Sequence, residues 1–584
     1  MFFKKIIHHK YFWPILTFIL IIPAFSFLFK PGYYNMHDDM QMIRQLEMEK
    51  CLADGQIPCR WTPDLGYGYG YPLFNFYPPM PYMVGQIYRT FGFSFIDSVK
   101  ATAITQIILS AAFIYLLSSS IFGPIGGFLS SIFYTYAPYH ALNIYVRGAM
   151  NEAWAAVFFP LIFYFSRRLV LEGKFKYILG LSISFTCLLL SHNPMALTFV
   201  PILFAWVLFW FFSKYKKPFI PFIKKRLSII LKLAFSGVLA GVLAAFYTIP
   251  VIFETKLVQI NTMFEGYYHF SVHFATLYEL FIRSFWGDGA SVWGPNDDMS
   301  FAIGYLHWII PILILGFIVW KITKYRHHLK KIDQKYWLLV LLIVMGFATV
   351  FMTHNKSTFI WLLLPTIQKI QFPWRFLNHS VFLFSLSIGG LALILKLLTK
   401  DYLKYLILSV LSILLIIINV SHFTPITHGP ITDEQKFSGK AWVNQITSGI
   451  YDYLPKTAKT AAKRAANPFV DEIDSDVIYQ ISDQKQGSNW TYFKINLNKS
   501  SKITLSQLAF PDFVVTDNNQ SLNYSIEPEL GRIVINLSAG DHQIFIKFVD
   551  TPIRTVSNYI SLFGWIFVLL FFTKPIWKRL IYRK

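Results

Sequence analysis

Apolar residues in this chain gather into runs far longer than a soluble core requires, for example 11–28, 229–250, 336–352 and 402–420. Each approaches the ~20 residues with which an α-helix crosses ~30 Å of hydrocarbon. Threading the runs through a bilayer predicts twelve spans, at 11–29, 98–117, 122–139, 153–169, 175–190, 195–212, 229–250, 301–320, 336–352, 375–396, 402–420 and 556–573. Between 421 and 555 the pattern changes. The apolar stretches shorten and alternate with polar positions, as in Tyr492-Phe-Lys-Ile-Asn, Lys502-Ile-Thr-Leu-Ser, Arg532-Ile-Val-Ile-Asn and Gln543-Ile-Phe-Ile-Lys-Phe. Period-two patterning broken by Glu529-Leu-Gly-Arg and Ser538-Ala-Gly-Asp-His predicts an antiparallel β-sandwich. The Ala/Lys stretch 456–467 reads as a surface helix or a linker.

The expected fold class is therefore an α-helical integral membrane protein with a β-sandwich domain outside the membrane. Three parts follow: a membrane module over 1–420 with a first external loop at 30–97, a β-rich domain over 421–555, and a last helix with a basic tail over 556–584. A chain that is 54% hydrophobic and only 14% charged excludes an ordinary soluble domain. Its net charge of +22 raises the question of nucleic acid, but the cations sit in short clusters between apolar runs. One cluster is Arg167, Arg168, Lys174 and Lys176; a second is Lys214, Lys216, Lys217, Lys224, Lys225 and Arg226; a third is Lys321, Lys324, Arg326, Lys330, Lys331 and Lys335. A positive-inside bias accounts for them and no nucleic-acid partner is needed. It places both termini in the cytoplasm, the tail with Lys574, Lys578, Arg579, Arg583 and Lys584 included, and puts 421–555 outside a plasma (inner) membrane. The first run follows Lys4, Lys5 and Lys10 but no small-residue cleavage site follows it, so it reads as a retained anchor. Cys187 lies in an apolar run as a small core residue. Cys51 and Cys59 share one external loop, where a disulfide and two free thiols are both open.

Polar chemistry collects on the outer side of this threading. Immediately after the first span, Tyr33-Tyr-Asn-Met-His-Asp-Asp-Met brings His37, Asp38 and Asp39 together. Two carboxylates and an imidazole can hold a divalent cation or supply a general base for a substrate hydroxyl; the plainer reading is an aspartate N-cap on the helix that follows. The same loop continues through Trp61 and Tyr77, too aromatic for water and too rich in Gly and Pro for a span. It suits the membrane interface, either as an anchor or as the wall of a lipid-entry groove. Arg147 and Glu152 stand at the outer end of the fourth span, His192 and Asn193 between the fifth and sixth, and Arg375 at the start of the tenth. Each arginine could merely snorkel. Two of them converging on one cavity would form a clamp for a lipid phosphate.

Taken in order, His37-Asp-Asp, Gly55 to Arg60-Trp, Gly68-Tyr-Gly-Tyr-Pro-Leu-Phe-Asn-Phe-Tyr-Pro-Pro, Arg147-Gly-Ala-Met-Asn-Glu, Ser191-His-Asn-Pro, Phe372-Pro-Trp-Arg-Phe and Tyr453-Leu-Pro resemble the GT-C superfamily of membrane glycosyltransferases. In particular they resemble its bacterial branch labelled 6-pyruvoyl-tetrahydropterin synthase-related membrane proteins, a label that carries no chemistry. The resemblance implies an inverting transfer from a polyprenyl-phosphate-linked sugar to a glycan, lipid or protein acceptor outside the membrane. It implies Asp38 as base, with Asp39 and His37 supporting it or helping to bind a divalent cation such as Mg or Mn. Arg147 and Arg375 would meet the donor phosphate, and Glu152, His192, Asn193, Trp61 and Tyr77 would line the cavity. Adjacent aspartates depart from the spaced acidic pair of several relatives, which bears on the metal. Two other classes remain open. A transporter or flippase of lipid-linked glycans would place charges near the midplane and often show inverted repeats, and a non-catalytic scaffold would use the sandwich to hold a partner or glycan.

Overall fold

The computed structural model describes residues 9–214, 222–294, 297–325 and 333–581. Lys4, Lys5, Lys216, Lys217, Arg326, Lys330, Lys331, Arg583 and Lys584 of the basic clusters lie outside those residues. Two compact units emerge: Met1–Asp39 with Lys100–Ala240 and Gly266–Pro430, and Met40–Val99 with Gly241–Glu265 and Ile431–Lys584.

Across the described residues nine helices are long and apolar enough to cross a membrane: Phe95–Phe122, Met150–Glu172, Asn193–Lys214, Arg226–Leu243, Tyr305–Lys324, Gln334–Thr353, Pro373–Leu395, Asp401–His422 and Pro552–Phe571. Phe12–Ala24 and Phe175–Ser191 are shorter apolar helices at predicted positions. The expected span at 122–139 is instead a 12-residue helix, Pro124–Thr135. Gly123, with φ of +86°, starts it, and Pro138 begins a new turn soon after its end. At 1.5 Å per residue such a helix covers about 18 Å, too little for a bilayer. The run at 229–250 is likewise divided: one helix ends at Leu243 and a second, Ala245–Glu254, starts after Ala244.

In the first unit, helices approach closely where side chains are small. A Cβ on Gly389 would stand 2.2 Å from Ser130 Oγ, and one on Gly346 would stand 2.5 Å from the Phe384 ring. Close backbone approach at small residues is how helices associate where no hydrophobic effect drives them together. Buried polar side chains find partners between helices, as Gln106 Nε2 donates to the Ala153 carbonyl (3.0 Å) and Thr198 Oγ1 meets His379 Nε2 (2.7 Å). Two short strands, β1 (Tyr33–Tyr34) and β2 (His428–Gly429), pair antiparallel and fix the chain just before His37.

The second unit contains the predicted sandwich. Its strands are β3 (Val470–Ile473), β4 (Tyr479–Gln486), β5 (Trp490–Leu497), β6 (Ser501–Leu508), β7 (Phe513–Asp517), β8 (Gln520–Ser521), β9 (Ser525–Ile526), β10 (Arg532–Leu537) and β11 (Gly540–Phe548). They form two sheets, β3-β6-β10-β9 and β4-β5-β11-β7-β8, and every pairing is antiparallel. The inward positions Phe493, Ile495, Ile503, Leu505, Ile533, Ile535, Ile544 and Ile546 are buried, as the alternation requires. Between 431 and β3 the chain carries only the short helices Asp433–Lys436 and Gly439–Thr447 and irregular segments, and 456–467 is a linker without helix. Cys51 and Cys59 are joined by a disulfide. Elsewhere in this unit, buried Glu254 accepts from Arg554 Nε (2.9 Å), Asn75 Nδ2 (2.8 Å) and Thr551 Oγ1 (2.8 Å).

Candidate active site

The first unit brings most of the singled-out residues to one place, and local backbone explains how. Leu142–Val146 is a turn of π-helix, a wider winding that recurs at functional sites. It ends at Arg147, whose amide donates to the Leu142 carbonyl (2.8 Å). Gly148 follows at a φ of +63°, and a Cβ there would come within 2.3 Å of Met36 Sδ. Only glycine lets Met36 lie so close. With the two segments in contact, the His37 amide donates to the Val146 carbonyl (2.9 Å) and the Asp38 amide to the Arg147 carbonyl (2.9 Å). The acidic segment is thus tied by its backbone to the residue carrying the first arginine.

The Arg147 side chain is buried and makes several charge-assisted bonds. Nη1 donates to Glu152 Oε2 (2.9 Å), to Tyr139 Oη (3.4 Å) and to Asn143 Oδ1, while the guanidinium lies 4.2 Å from the centre of the Trp374 ring. Burial works against its charge, but Glu152, Tyr139 and Asp38 outweigh that effect and hold it protonated. Arg375 reaches the same carboxylate, with Nε 3.3 Å from Glu152 Oε2. Its Nη1 donates to the Ile370 carbonyl (2.6 Å) and to Gln371 Oε1 (3.1 Å). Gln371 itself has a φ of +67°, a conformation that a non-glycine residue holds only where its surroundings impose it. Trp374 stacks on Phe372 (4.7 Å) and Phe301 (5.2 Å) and donates Nε1–H to Ser291 Oγ (3.0 Å), which fixes the ring against Arg147.

Glu152 is 1% exposed and also accepts from Tyr139 O–H (2.6 Å). His192 lies within electrostatic range of Arg375, Glu152 and Arg147, and its Nδ1 accepts from the Met195 amide (3.2 Å). Asn193 is the half-buried first residue of the helix Asn193–Lys214. His37 is exposed, with Nε2 2.6 Å from the Asp288 carbonyl oxygen, and Asp38 and Asp39 are half-buried. The N-cap reading of the aspartates does not hold: Met40 occupies the N-cap of the helix Gln41–Ala53 and makes no side-chain capping bond.

Trp61 and Tyr77, expected along the same cavity, belong to the second unit. Trp61 is a core side chain there, fully buried against Phe513 (4.9 Å) and Phe548 (5.2 Å). Tyr77 accepts from Arg44 Nη1 (3.0 Å), and that guanidinium lies 4.3 Å from its ring centre. Tyr139, Asn143 and Gln371, which hold the two arginines, escaped the sequence reading. The usable signal was indirect: a buried arginine needs acceptors, and these polar side chains lie within eight residues of one.

Among the described residues, no three His, Cys, Asp or Glu side chains converge as a metal would require. Asp38 and Asp39 with His37 would hold a divalent cation only with water and substrate phosphate oxygens completing its shell. Two guanidinium groups thus share one buried carboxylate, and Asp38 adds its own pull on Arg147.

No family model matches the chain. A curated relative, an uncharacterized protein of Lactococcus lactis subsp. cremoris (strain MG1363), is 25% identical over 346 residues, covering 58% of this chain and 52% of its own length. The match thus spans about half of that relative. Among crystal structures, the chain is similar to the Archaeoglobus fulgidus oligosaccharyltransferase in the apo form, with a TM-score of 0.45 and 13% identity over 79% of this chain and 62% of that one. It is similar also to ArnT from Cupriavidus metallidurans bound to undecaprenyl phosphate, with a TM-score of 0.36 and 14% identity over 67% of this chain and 61% of that one.

Proposed function

We propose that this protein is a membrane glycosyltransferase of the GT-C type, moving a sugar from a polyprenyl-phosphate-linked donor to an acceptor hydroxyl on the extracytoplasmic side. The observation that carries the reading is the convergence of Arg147 and Arg375 on Glu152, with Asp38 tied through its backbone to Arg147. A donor held by its lipid cannot leave the membrane, so its phosphate must meet cations placed among helix ends. Arg147 and Arg375 come from two different helical segments and both present the forked donors that match phosphate oxygens.

In this mechanism the acceptor oxygen attacks the anomeric carbon from the face opposite the phosphate. The bond from that carbon to the phosphate oxygen breaks and its electron pair leaves with the polyprenyl phosphate. Negative charge grows on the leaving group, and preplaced guanidinium groups stabilise it more than the ground state. Asp38 takes the acceptor proton as the new bond forms. Glu152 stands where the phosphate would otherwise make its contacts; in the free enzyme it keeps the two arginines together and partly neutralised. Asp39 and His37 support Asp38 and, with a divalent cation present, would help to hold it.

The test is direct. Purified protein in lipid nanodiscs is given a panel of labelled polyprenyl-phosphate sugars, and enzyme-dependent loss of donor is followed with and without envelope-derived acceptors. Consumption of one donor supports the reading; movement of intact lipid-linked sugar between leaflets without cleavage would point to a flippase.

A further inference from the structure

The outward face of the five-stranded sheet is unlike an ordinary solvent-facing one. On β5 the buried positions are Thr491, Phe493, Ile495 and Leu497, which turns Trp490, Tyr492, Lys494 and Asn496 outward. On β11, Phe545 faces the same way and is the cross-strand partner of Tyr492. Three aromatic rings therefore share one face of two neighbouring strands, each half-buried, with Trp490 and Phe545 centred 6.2 Å apart. Trp490 is pinned at the end of the row by a hydrogen bond from Nε1 to Asp54 Oδ1 (3.0 Å). Beyond the rings the face becomes amide and carboxylate: Gln543 Oε1 accepts from Tyr492 O–H (3.4 Å), and Asn496 Nδ2 donates to Asp541 Oδ1 (2.7 Å).

We infer that this face is a glycan-binding platform that takes an uncharged oligosaccharide or polysaccharide. Strand spacing of about 4.8 Å across the sheet and about 6.8 Å between alternate residues lays the three rings side by side over roughly one to two sugar units. The C–H faces of pyranose rings are apolar and pack on aromatic rings, while the hydroxyls around their edges need donors and acceptors such as Asn496, Gln543 and Asp541. Aromatic rings partly open to solvent beside polar groups mark recognition surfaces.

Charge and topology select the occupant. Asp483 pairs with both Lys485 (3.4 Å) and Lys494 (3.2 Å), and Lys547, the cross-strand neighbour of Trp490, shares the outward side of β11 with Asp541, so the face holds little net charge and a polyanion gains little. A peptide adding as a strand needs an open sheet edge, but β5 lies between β4 and β11, and β11 between β5 and β7. Recognition on these strands must run through side chains. The proposal concerns binding alone, so a failed sugar-transfer assay leaves it standing.

The experiment uses the full chain in nanodiscs, immobilised, and measures retention of dextran, mannan, laminarin and galactan, with poly(glycerol phosphate) as the anionic comparison. Wild type should retain at least one neutral polymer, and Tyr492→Ala with Phe545→Ala should weaken that binding by about tenfold or more, while Tyr492→Trp keeps it. Gln543→Ala, which removes no ring, should weaken it as well and guards against a folding artefact. Retention of no neutral polymer, preference for the anionic one, or undiminished binding by both the double-alanine and Gln543→Ala proteins would overturn the proposal.

Discussion

The Glu152 carboxylate lies 2.9 Å from the Arg147 guanidinium, and both side chains are buried. A buried pair of this kind is expensive to break, because removing one partner strands the other charge at a cost of about 3–5 kcal/mol. Here the consequence is larger in kind, since Arg375 leans on the same oxygen from 3.3 Å. Glu152→Gln should therefore lower the thermal unfolding midpoint of the protein in detergent. It should also raise the stabilisation that a polyprenyl phosphate confers, because the anion then supplies the missing charge. Equal stabilisation of variant and wild type by the lipid would show that the phosphate does not meet these arginines.

Donor binding tests the arginines separately. Arg147→Ala and Arg375→Ala should each weaken use of the lipid-phosphate donor by about 1.5–3 kcal/mol, the worth of a lost hydrogen bond to a charged group. Arg375→Lys should recover only part of the loss, because an ammonium lacks the planar fork. The readout is the donor dependence of the initial rate. Wild-type donor affinity in both alanine variants would return the arginines to a structural role.

Acid stability follows from Asp471 in the sandwich. Burial pushes its carboxyl up, but bonds from the Asn467 amide, Arg464, Tyr69 and Arg532 outweigh this and hold it below the ordinary carboxylate range. A group depressed in the folded state stabilises above its unfolded value of about 3.9, and that stability is lost as pH falls through the folded value. The unfolding midpoint should fall on acidification below about pH 4, and Asp471→Asn should be less stable at neutral pH with a flatter acid limb. An unchanged acid limb in Asp471→Asn would remove Asp471 from the account.

Membrane sidedness can be read by labelling. A cysteine at Asn518 should react with an impermeant thiol reagent in intact cells, and one at Lys216 should not. The reverse pattern would invert the threading.

Much of this architecture was legible because lipid-length apolar runs and period-two alternation are local signals. Tyr492-Phe-Lys-Ile-Asn and Gln543-Ile-Phe-Ile-Lys-Phe lie in β5 and β11, while β8 and β9, of two residues each, were too short to show a period. The helix beginning at Pro124 looked like a span because its neighbours are apolar; Gly123 and Pro138 were the stops that hydropathy averages away. Arg147, Glu152 and Arg375 could be singled out as charges at apolar boundaries. Their meeting at one oxygen could not be, since it depends on the π-turn at 142–146 and on Gly148 admitting Met36. Trp61 misled for the opposite reason: an aromatic among glycines suggests an interface, yet its partners Phe510, Phe513 and Phe548 lie more than 400 residues away in sequence.

The most direct measurement is the turnover of Asp38→Asn. Asparagine keeps the size and backbone bonding of aspartate but removes the basic oxygen, so the protein should insert, unfold at the wild-type midpoint and bind the lipid donor normally. Loss of a general base lowers the rate by about 10²- to 10⁴-fold, and Asp39→Asn should lose less; its partial rescue by excess Mg²⁺ or Mn²⁺ would assign the two aspartates a shared metal. Sugar transfer by Asp38→Asn reduced by at least about a hundredfold, with donor affinity intact, is the predicted result; turnover above about a tenth of wild type would contradict it and remove Asp38 from the chemistry.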